Sequence, residues 1–283
     1  MATRRHPTAR QARLGVELRR LRDSAGLKAT EAAALLGVSS VQVSQIESGV
    51  AGVSEERVRR LAANYACTDA ELIDALVAMA TDRTRGWWEE YRRILPAAYL
   101  DLSELDHHAT FRHDVAVIHV PGLLQTEAYA RALFAYMNPQ FPESEVEHRV
   151  SHRMRRKVVI EGADPIPYET VIHEAALRIR VAGRAASRAQ LTRILEASEA
   201  EHVAVRVVPF GLDDFAGAGS AMVHVGGVVP RLDTVVRDAP HGTAFIDSAA
   251  QLEHFRGLFR RVKQASLDAD QSRDLINGLI KEL

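Results

Sequence analysis

His148 and His152 lie four residues apart in a segment that reads as a helix, so both imidazoles fall on one face, and Glu145 or Glu147 adds a carboxylate. Two histidines and a carboxylate at that spacing are the raw material of a metal site, but a third firm ligand is missing. Two solvated histidines on a charged helix are the plainer reading. His107-His108 and His113-Asp114 are similarly weak, and the single cysteine, Cys67, can neither build a zinc site by itself nor close an internal disulfide. Gly217-Ala218-Gly219 and Gly226-Gly227 lack the strand-to-helix setting of a phosphate loop and read as loop or hairpin glycines. There is no nucleophile elbow and no paired-histidine zinc motif. The expectation is a protein that is not an enzyme, with no catalytic residue, no metal and no cofactor.

Other residues offer contact rather than catalysis. The run His148-Arg149-x-x-His152-Arg153-x-Arg155-Arg156-Lys157 could meet nucleic acid or an acidic partner. Val146, Val150 and Met154 recur beneath it at helical spacing, which favours the solvated face of an amphipathic helix. Trp87, Trp88 and Tyr91 sit in the cluster Arg85-Gly86-Trp87-Trp88-Glu89-Glu90-Tyr91, where stacking on a base or ligand competes with hinge packing between domains. Hinge packing is the commoner use of such a group.

The chain that must position these residues has 283 of them, enough for about two domains. With 47% hydrophobic and 26% charged residues it is neither disordered nor collagen-like. The longest stretch without charge, from Asp214 to Arg231, is rich in glycine and does not read as a membrane helix. The basic N-terminus has no apolar segment after it, so no secretory signal is read and the cytoplasm is expected. Charge is uneven. Residues 1–66 carry 11 Lys and Arg against 6 Asp and Glu, a net of +5, which leaves −6 for the rest. A basic head on an acidic body suggests that the head meets an anionic polymer. The preference for arginine over lysine, with abundant alanine, is read as the codon bias of a GC-rich genome.

In the head, Leu14, Leu18 and Leu21 predict an amphipathic helix from about 9 to 25, ended near Gly26. A second helix is expected from Ala29 to Leu36, closed by Gly37. Ser39 is the expected N-cap of a third, with Gln42 in the capping-box position. Val43 and Ile46 anchor that helix on the core and leave Ser40, Val41, Gln42, Ser44 and Gln45 for its other faces. Ser54 is the expected cap of a fourth helix with Val58, Leu61 and Ala62 inward. Thr68 to Glu71 reads as the capping box of a fifth with Leu72, Leu76 and Met79 inward. Two short helices about a glycine turn in a basic five-helix module describe a helix-turn-helix, although a helical bundle without ligand shares that spacing.

The words of the sequence go further. Leu14-Gly15-x-x-Leu18-Arg19-x-Leu21-Arg22, Leu35-Leu36-Gly37-Val38-Ser39 and Val43-Ser44-Gln45-Ile46-Glu47-Ser48-Gly49 resemble the Cro/C1-type (XRE) helix-turn-helix family. The resemblance implies double-stranded DNA as partner, base contacts from Ser40, Val41, Gln42 and Gln45, and backbone contacts from Arg19, Lys28, Ser39 and Ser44. Gln42 would read adenine through its amide and Val41 would touch a thymine methyl. Two departures stand out. Lys28-Ala29 replace the Thr-Gln that often opens the second helix, and Gln45 stands where the family often has Arg. Lys28 then becomes a phosphate-binding point charge.

Beyond Ala80 strands are expected at 115–120, 169–172, 203–208, 221–225 and 232–236. Helices are expected at 123–137, 143–160, 188–197, 249–263 and 268–280. The expected fold class is α+β overall: an all-α helix-turn-helix domain over 1–80, a helical linker with the Trp pair over 81–105, and a mixed α/β domain over 106–283. Gly86-Trp87-Trp88, the run Val120-Pro121-Gly122-Leu123-Leu124-Gln125-Thr126-Glu127-x-Tyr129-Ala130, Glu174-Ala175-Ala176-Leu177-Arg178 and Val208-Pro209-Phe210 resemble the C-terminal domain of the WhiJ-like or antitoxin-like actinobacterial regulators. That resemblance spans about residues 10–265. It implies a transcriptional regulator, expected as a homodimer on a pseudo-palindromic operator, accompanied by a small partner protein encoded nearby. Two alternatives concern the body: an antitoxin-like interaction module that sequesters a small protein, with DNA binding secondary, and a sensor of an unknown small-molecule ligand.

Overall fold

In the computed structural model, which describes residues 7–213, 215–217, 220–239 and 242–283, the first helices stop where a glycine turns the chain. Helix α1 spans Ala9–Ser24, α2 Ala29–Leu36, α3 Ser40–Glu47, α4 Glu55–Asn64 and α5 Ala70–Thr81. Gly26 and Gly37 both adopt φ of +72°, the left-handed conformation that ends a helix at least cost without a Cβ. Thr8 and Gln11 form a reciprocal capping box on α1, and Ser39 and Ser54 each accept from a backbone N–H of the following first turn. Leu14, Leu18, Leu21, Val43, Ile46, Val58, Leu61 and Ala62 are all buried, as their spacing requires.

Two details of the fifth helix differ from expectation. Asp69 is its cap, accepting from the Leu72 N–H, so Thr68 lies one residue outside. Val77 and Ala80 are buried beside Leu72 and Leu76, while Met79 is only half-buried.

Backbone contacts divide the chain into one unit of residues 1–89 and 97–105 and another of 90–96 and 106–283. The expected 81–105 linker is thus shared between the two. Within the first unit, the Ala9 N–H donates to Asp101 Oδ1 at 2.9 Å, so a residue of helix α6 (Ala97–His107) satisfies one free donor at the start of α1.

The second unit is built on a six-stranded mixed sheet of order β3-β2-β1-β4-β5-β6. Its strands are β1 (Arg112–Ala116), β2 (Tyr168–His173), β3 (Val203–Val208), β4 (Met222–Val225), β5 (Thr234–Ala239) and β6 (Gly242–Ile246). β1, β2 and β3 run parallel, and β4 turns the sheet antiparallel against β1, with Arg112 opposite Val225. Helices α7 (Glu127–Met137), α8 (Glu143–Arg155) and α9 (Val158–Glu161) join β1 to β2. Helices α10 (Glu174–Arg178) and α11 (Gly183–Ala197) join β2 to β3. Helices α12 (Ala249–Ala265) and α13 (Ala269–Glu282) follow the sheet.

Alternate residues of each strand enter opposite apolar layers. Ala116, Ile172 and Val207 join Tyr129, Leu191, Ile194 and Ile276 on one side; Val115, Val171 and Val208 join Leu252, Phe255 and Phe259 on the other.

The body departs from its sequence reading in several places. The strand expected at 115–120 is β1, which starts earlier, at Arg112, since the paired Arg112 and Asp114 can be buried there, and ends at Ala116. The helix expected from Leu123 begins at Glu127 under a Thr126 cap, after a 3-10 turn over Gly122–Leu124. The strand expected from Leu232 begins at Thr234, after a 3-10 turn over Pro230–Leu232. The helix expected over 143–160 is two, α8 and α9, and the one expected from Arg188 begins at Gly183. Helix α10 and strand β6 are additional, while α6 fills the end of the expected helical linker and runs on to His107. Of the glycine loop 217–219, Ala218 and Gly219 lie outside the described residues, as do Met1–His6 and their two arginines.

Candidate nucleic-acid interface

Helix α3 has an inner side of Val43 and Ile46, 2% and 3% exposed. Around the helix, Val41 and Gln45 point directly away from that side, Ser44 stands next to them, and Ser40 and Gln42 flank the exposed strip. Burial follows the same order: Val41 is 64% exposed, Ser44 and Gln45 are exposed, and Ser40 and Gln42 are half-buried. The residues carried from the resemblance as base contacts therefore form one continuous face, with an apolar contact beside amides and a hydroxyl, the mixture that reads base edges.

What holds that face in place was only partly visible in the sequence. Gly15 of α1 lies so close to the end of α3 that an added Cβ would sit 2.5 Å from the Glu47 carbonyl oxygen. Gly49, at φ +72°, comes equally close to the Gln11 carbonyl of α1. The Glu47 side chain is also structural. Its carboxylate accepts from Arg22 Nε at 2.6 Å and Nη2 at 3.0 Å, and Arg22 Nη1 donates to the Leu27 carbonyl at 2.6 Å. The hydrogen bond to Glu47 raises the Arg22 pKa. These contacts give a physical reason for the Glu-x-Gly ending of the third helix.

The positive charge of the head is not all available for a ligand. Glu17, fully buried, takes Arg13 at 3.1 Å and Arg20 at 2.5 Å, and Arg59 pairs with Glu55 and Asp74. Arg19 is exposed and 3.6 Å from Asp23, an exposed pair of little strength. Lys28, exposed at the N-cap of α2, donates its backbone N–H to Glu31 at 2.6 Å, but its ammonium group pairs with no carboxylate among the described residues, and neither do the guanidinium groups of Arg57 and Arg60. Arg60 donates instead to the Leu35 carbonyl. The sequence reading counted Arg57 and Arg60 toward charge and gave them no site. The Ser39 hydroxyl oxygen is the cap of α3 and retains its own hydrogen for donation.

The tryptophans and Tyr91 fall in different units. Trp88 is buried, its ring edge-on to Trp87 at 6.1 Å and folded over Gly86, where no Cβ would fit. Tyr91 belongs to the second unit, shares a hydrogen bond of 2.9 Å with Ser151, and lies edge-on to His152.

The other candidate surface resolves into structure. His148 is exposed, but His152 is 1% exposed, so the pair is not two solvated histidines. Arg149 and Arg156 are also buried, Arg153 donates to Gln125 Oε1, and Arg155 pairs with Glu90. Val146 and Val150 are buried as the amphipathic reading requires, and no group of three metal-ligating side chains occurs among the described residues.

Arg156 belongs to a buried cluster that sequence reasoning missed. Asp106 Oδ2 accepts from Arg156, its Oδ1 accepts from Arg112 at 2.5 Å, Arg112 also donates to both oxygens of Asp114, and the Tyr168 hydroxyl donates to Asp114. Burial pushes the Asp106 carboxyl up, and the charges of Arg112 and Arg156 outweigh it, so its pKa stands below the ordinary value. Burial and the neighbouring Asp114 raise the Tyr168 hydroxyl well above its ordinary range.

The conspicuous motifs of the body are also joints. Gln125 donates to the Val120 carbonyl, Gln190 donates to the Leu124 carbonyl and accepts from the Thr126 N–H, and the Tyr129 hydroxyl accepts from the Val120 N–H. Glu174 accepts from the Phe210 N–H and from Arg178, tying the end of β2 to the chain leaving β3.

The first unit is thus a helix-turn-helix domain, the class of fold that presents one helix to DNA, and it precedes a mixed α/β domain. Residues 13–76 match the family described as helix-turn-helix domain. Residues 99–278 match the domain of unknown function DUF5753, and the chain belongs to that family. No curated protein and no solved structure matches it. No helix of the described residues is long and apolar enough to cross a membrane.

Proposed function

We propose that the protein is a sequence-specific transcriptional regulator of the Cro/C1 type. As a homodimer it sets two copies of α3 into successive major grooves of a pseudo-palindromic operator. The observation that carries this reading is the single outward face of α3, Val41, Ser44 and Gln45 flanked by Ser40 and Gln42, held by Val43, Ile46 and the Arg22–Glu47 pair. Lys28 and Arg19 contact phosphates and set register, while the α3 face selects sequence. The C-terminal domain, which resembles that of the WhiJ-like or antitoxin-like regulators, tunes DNA binding by linkage to a small partner protein or ligand and is not an enzyme.

Fluorescence anisotropy on DNA from upstream of the protein's own gene, against a scrambled duplex and across a salt series, tests this. Tight, sequence-dependent binding with a steep salt slope is the expected result. Equal and weak binding to both duplexes and to upstream regions of neighbouring genes, with or without the coexpressed neighbouring protein, overturns it.

A further inference from the structure

The two crossovers that connect β1, β2 and β3 both feed the same apolar layer, with Tyr129, Leu191 and Ile194 among its members. The opposite face of these strands has α12 as its helical cover, through Leu252, Phe255, Phe259 and Val262. One helix does not cover the ends of three parallel strands. At their carboxyl ends, on the α12 side, lies a cavity of about 240 Å³ walled by Val117, Val171, His173, Val208, Phe215 and Val262. The crevice beyond the carboxyl ends of parallel strands is where open α/β sheets bind ligands.

Among the described residues of this lining, His173 carries the polar side chain. Its Nδ1 accepts the Ala175 N–H at 3.2 Å, which caps α10. A ring nitrogen that accepts carries no proton, so the neutral imidazole holds its hydrogen on Nε2 as a donor. The ring is edge-on to Phe210 at 5.2 Å and stacked with Phe215 at 6.1 Å, which restricts its plane. No described residue accepts from Nε2. Among the described residues the wall therefore offers apolar surface and this one side-chain donor, and an ionised ligand would lose its hydration there without a counter-charge from them.

We propose that this cavity binds a small uncharged molecule with an apolar ring or branched body and one hydrogen-bond acceptor, received by His173 Nε2. An apolar cavity of about 150 Å³ accepts benzene, so the larger one here has room for a substituted ring. The proposal concerns the second unit alone and does not rest on the regulatory reading; its test contains no DNA, so either can fail without the other.

The probes are acetophenone, a ring with one carbonyl acceptor, and isopropylbenzene, of similar shape without it, titrated into the full-length protein and followed by NMR of the histidine ring and valine methyl signals. Acetophenone is expected to bind saturably, shifting His173 and the methyls of Val171 and Val208, with isopropylbenzene about three- to tenfold weaker. Val117→Trp, at a half-buried position outside β1, fills the cavity and is expected to abolish both titrations. His173→Asn keeps an oxygen to cap α10 and, being shorter than histidine, places no N–H where Nε2 stood, and is expected to erase the preference between probes. The proposal is overturned if neither probe shifts these signals up to its solubility. It is overturned equally if binding survives Val117→Trp in a folded protein, or if the two probes bind alike in the wild type.

Discussion

Arg22 and Glu47, 25 residues apart, meet in a two-point ion pair that joins the last turn of α1 to the last turn of α3, and both side chains are more than nine-tenths buried. The pair fixes the direction in which α3 leaves the core. Glu47→Ala leaves the buried Arg22 charge with only the exposed Asp23, at 2.8 Å, as counter-charge and is expected to cost about 2–4 kcal/mol of domain stability, read by urea unfolding. DNA affinity should fall with it, since the α3 face loses its orientation. A variant as stable as wild type would show that the pair contributes nothing net.

Gly15 gives an independent check of the same joint. A methyl group there would lie 2.5 Å from one backbone oxygen of α3 and 2.7 Å from another, and neither can move without shifting the helix. Gly15→Ala should therefore destabilise by about 1–3 kcal/mol, although alanine is the better helix former. Gly257→Ala, in α12 with only the tip of Arg261 near, is the matched control and should leave the melting temperature unchanged or raised.

On the operator, substitutions at Gln42 and Lys28 should separate reading from holding. Gln42→Ala should cost about 1–3 kcal/mol on the preferred sequence and little on a scrambled duplex. Lys28→Ala should weaken both duplexes alike and reduce the magnitude of the salt slope by about 1. Both variants should fold as wild type. Equal losses on the two duplexes from Gln42→Ala would move base reading away from this face.

The buried cluster of the second unit alternates Arg156, Asp106, Arg112 and Asp114. Asp106→Asn leaves two guanidinium groups against one carboxylate and is expected to cost about 3–5 kcal/mol, measured by chemical denaturation. The folded Asp106 pKa is below its unfolded value, so this contribution is present above the ordinary carboxylate pKa and is lost as pH falls through the folded one.

His113 predicts a milder-acid effect of separate origin. Its ring is stacked on Phe259 at 4.4 Å, and burial, then the charge of His224, lowers its pKa to about 4. The unfolded chain thus binds a proton, with a pKa of about 6.5, that the folded chain refuses. Stability should decline as pH falls from about 6.5 toward 4, and His113→Gln should flatten that slope. An unchanged slope in the variant would assign the loss to other groups.

Much of the first unit was legible because its signals are local. A 3.6-residue period, a hydroxyl or carboxylate at the cap and a glycine at the stop act within one or two turns. They set α1 to α4, with Val43 and Ile46 inward and Val41 and Gln45 outward. Strand β3, Val203–Val208, was readable for a similar reason, as an apolar run bounded by turn residues. Tertiary structure alone decided where charge could be buried. Arg112 and Asp114 on a strand, and Arg149, His152 and Arg156 on or after a helix, look solvated in one dimension, because a polar residue's burial depends on a partner far away in the chain. Asp106 lies 50 residues from Arg156, and no periodicity reports that distance. The cavity beside His173 was equally invisible, since it arises from two crossovers choosing the same face of the sheet. Local propensity can specify elements and their inward faces; the pairing of distant charges and the space left between layers exist only once those elements have met.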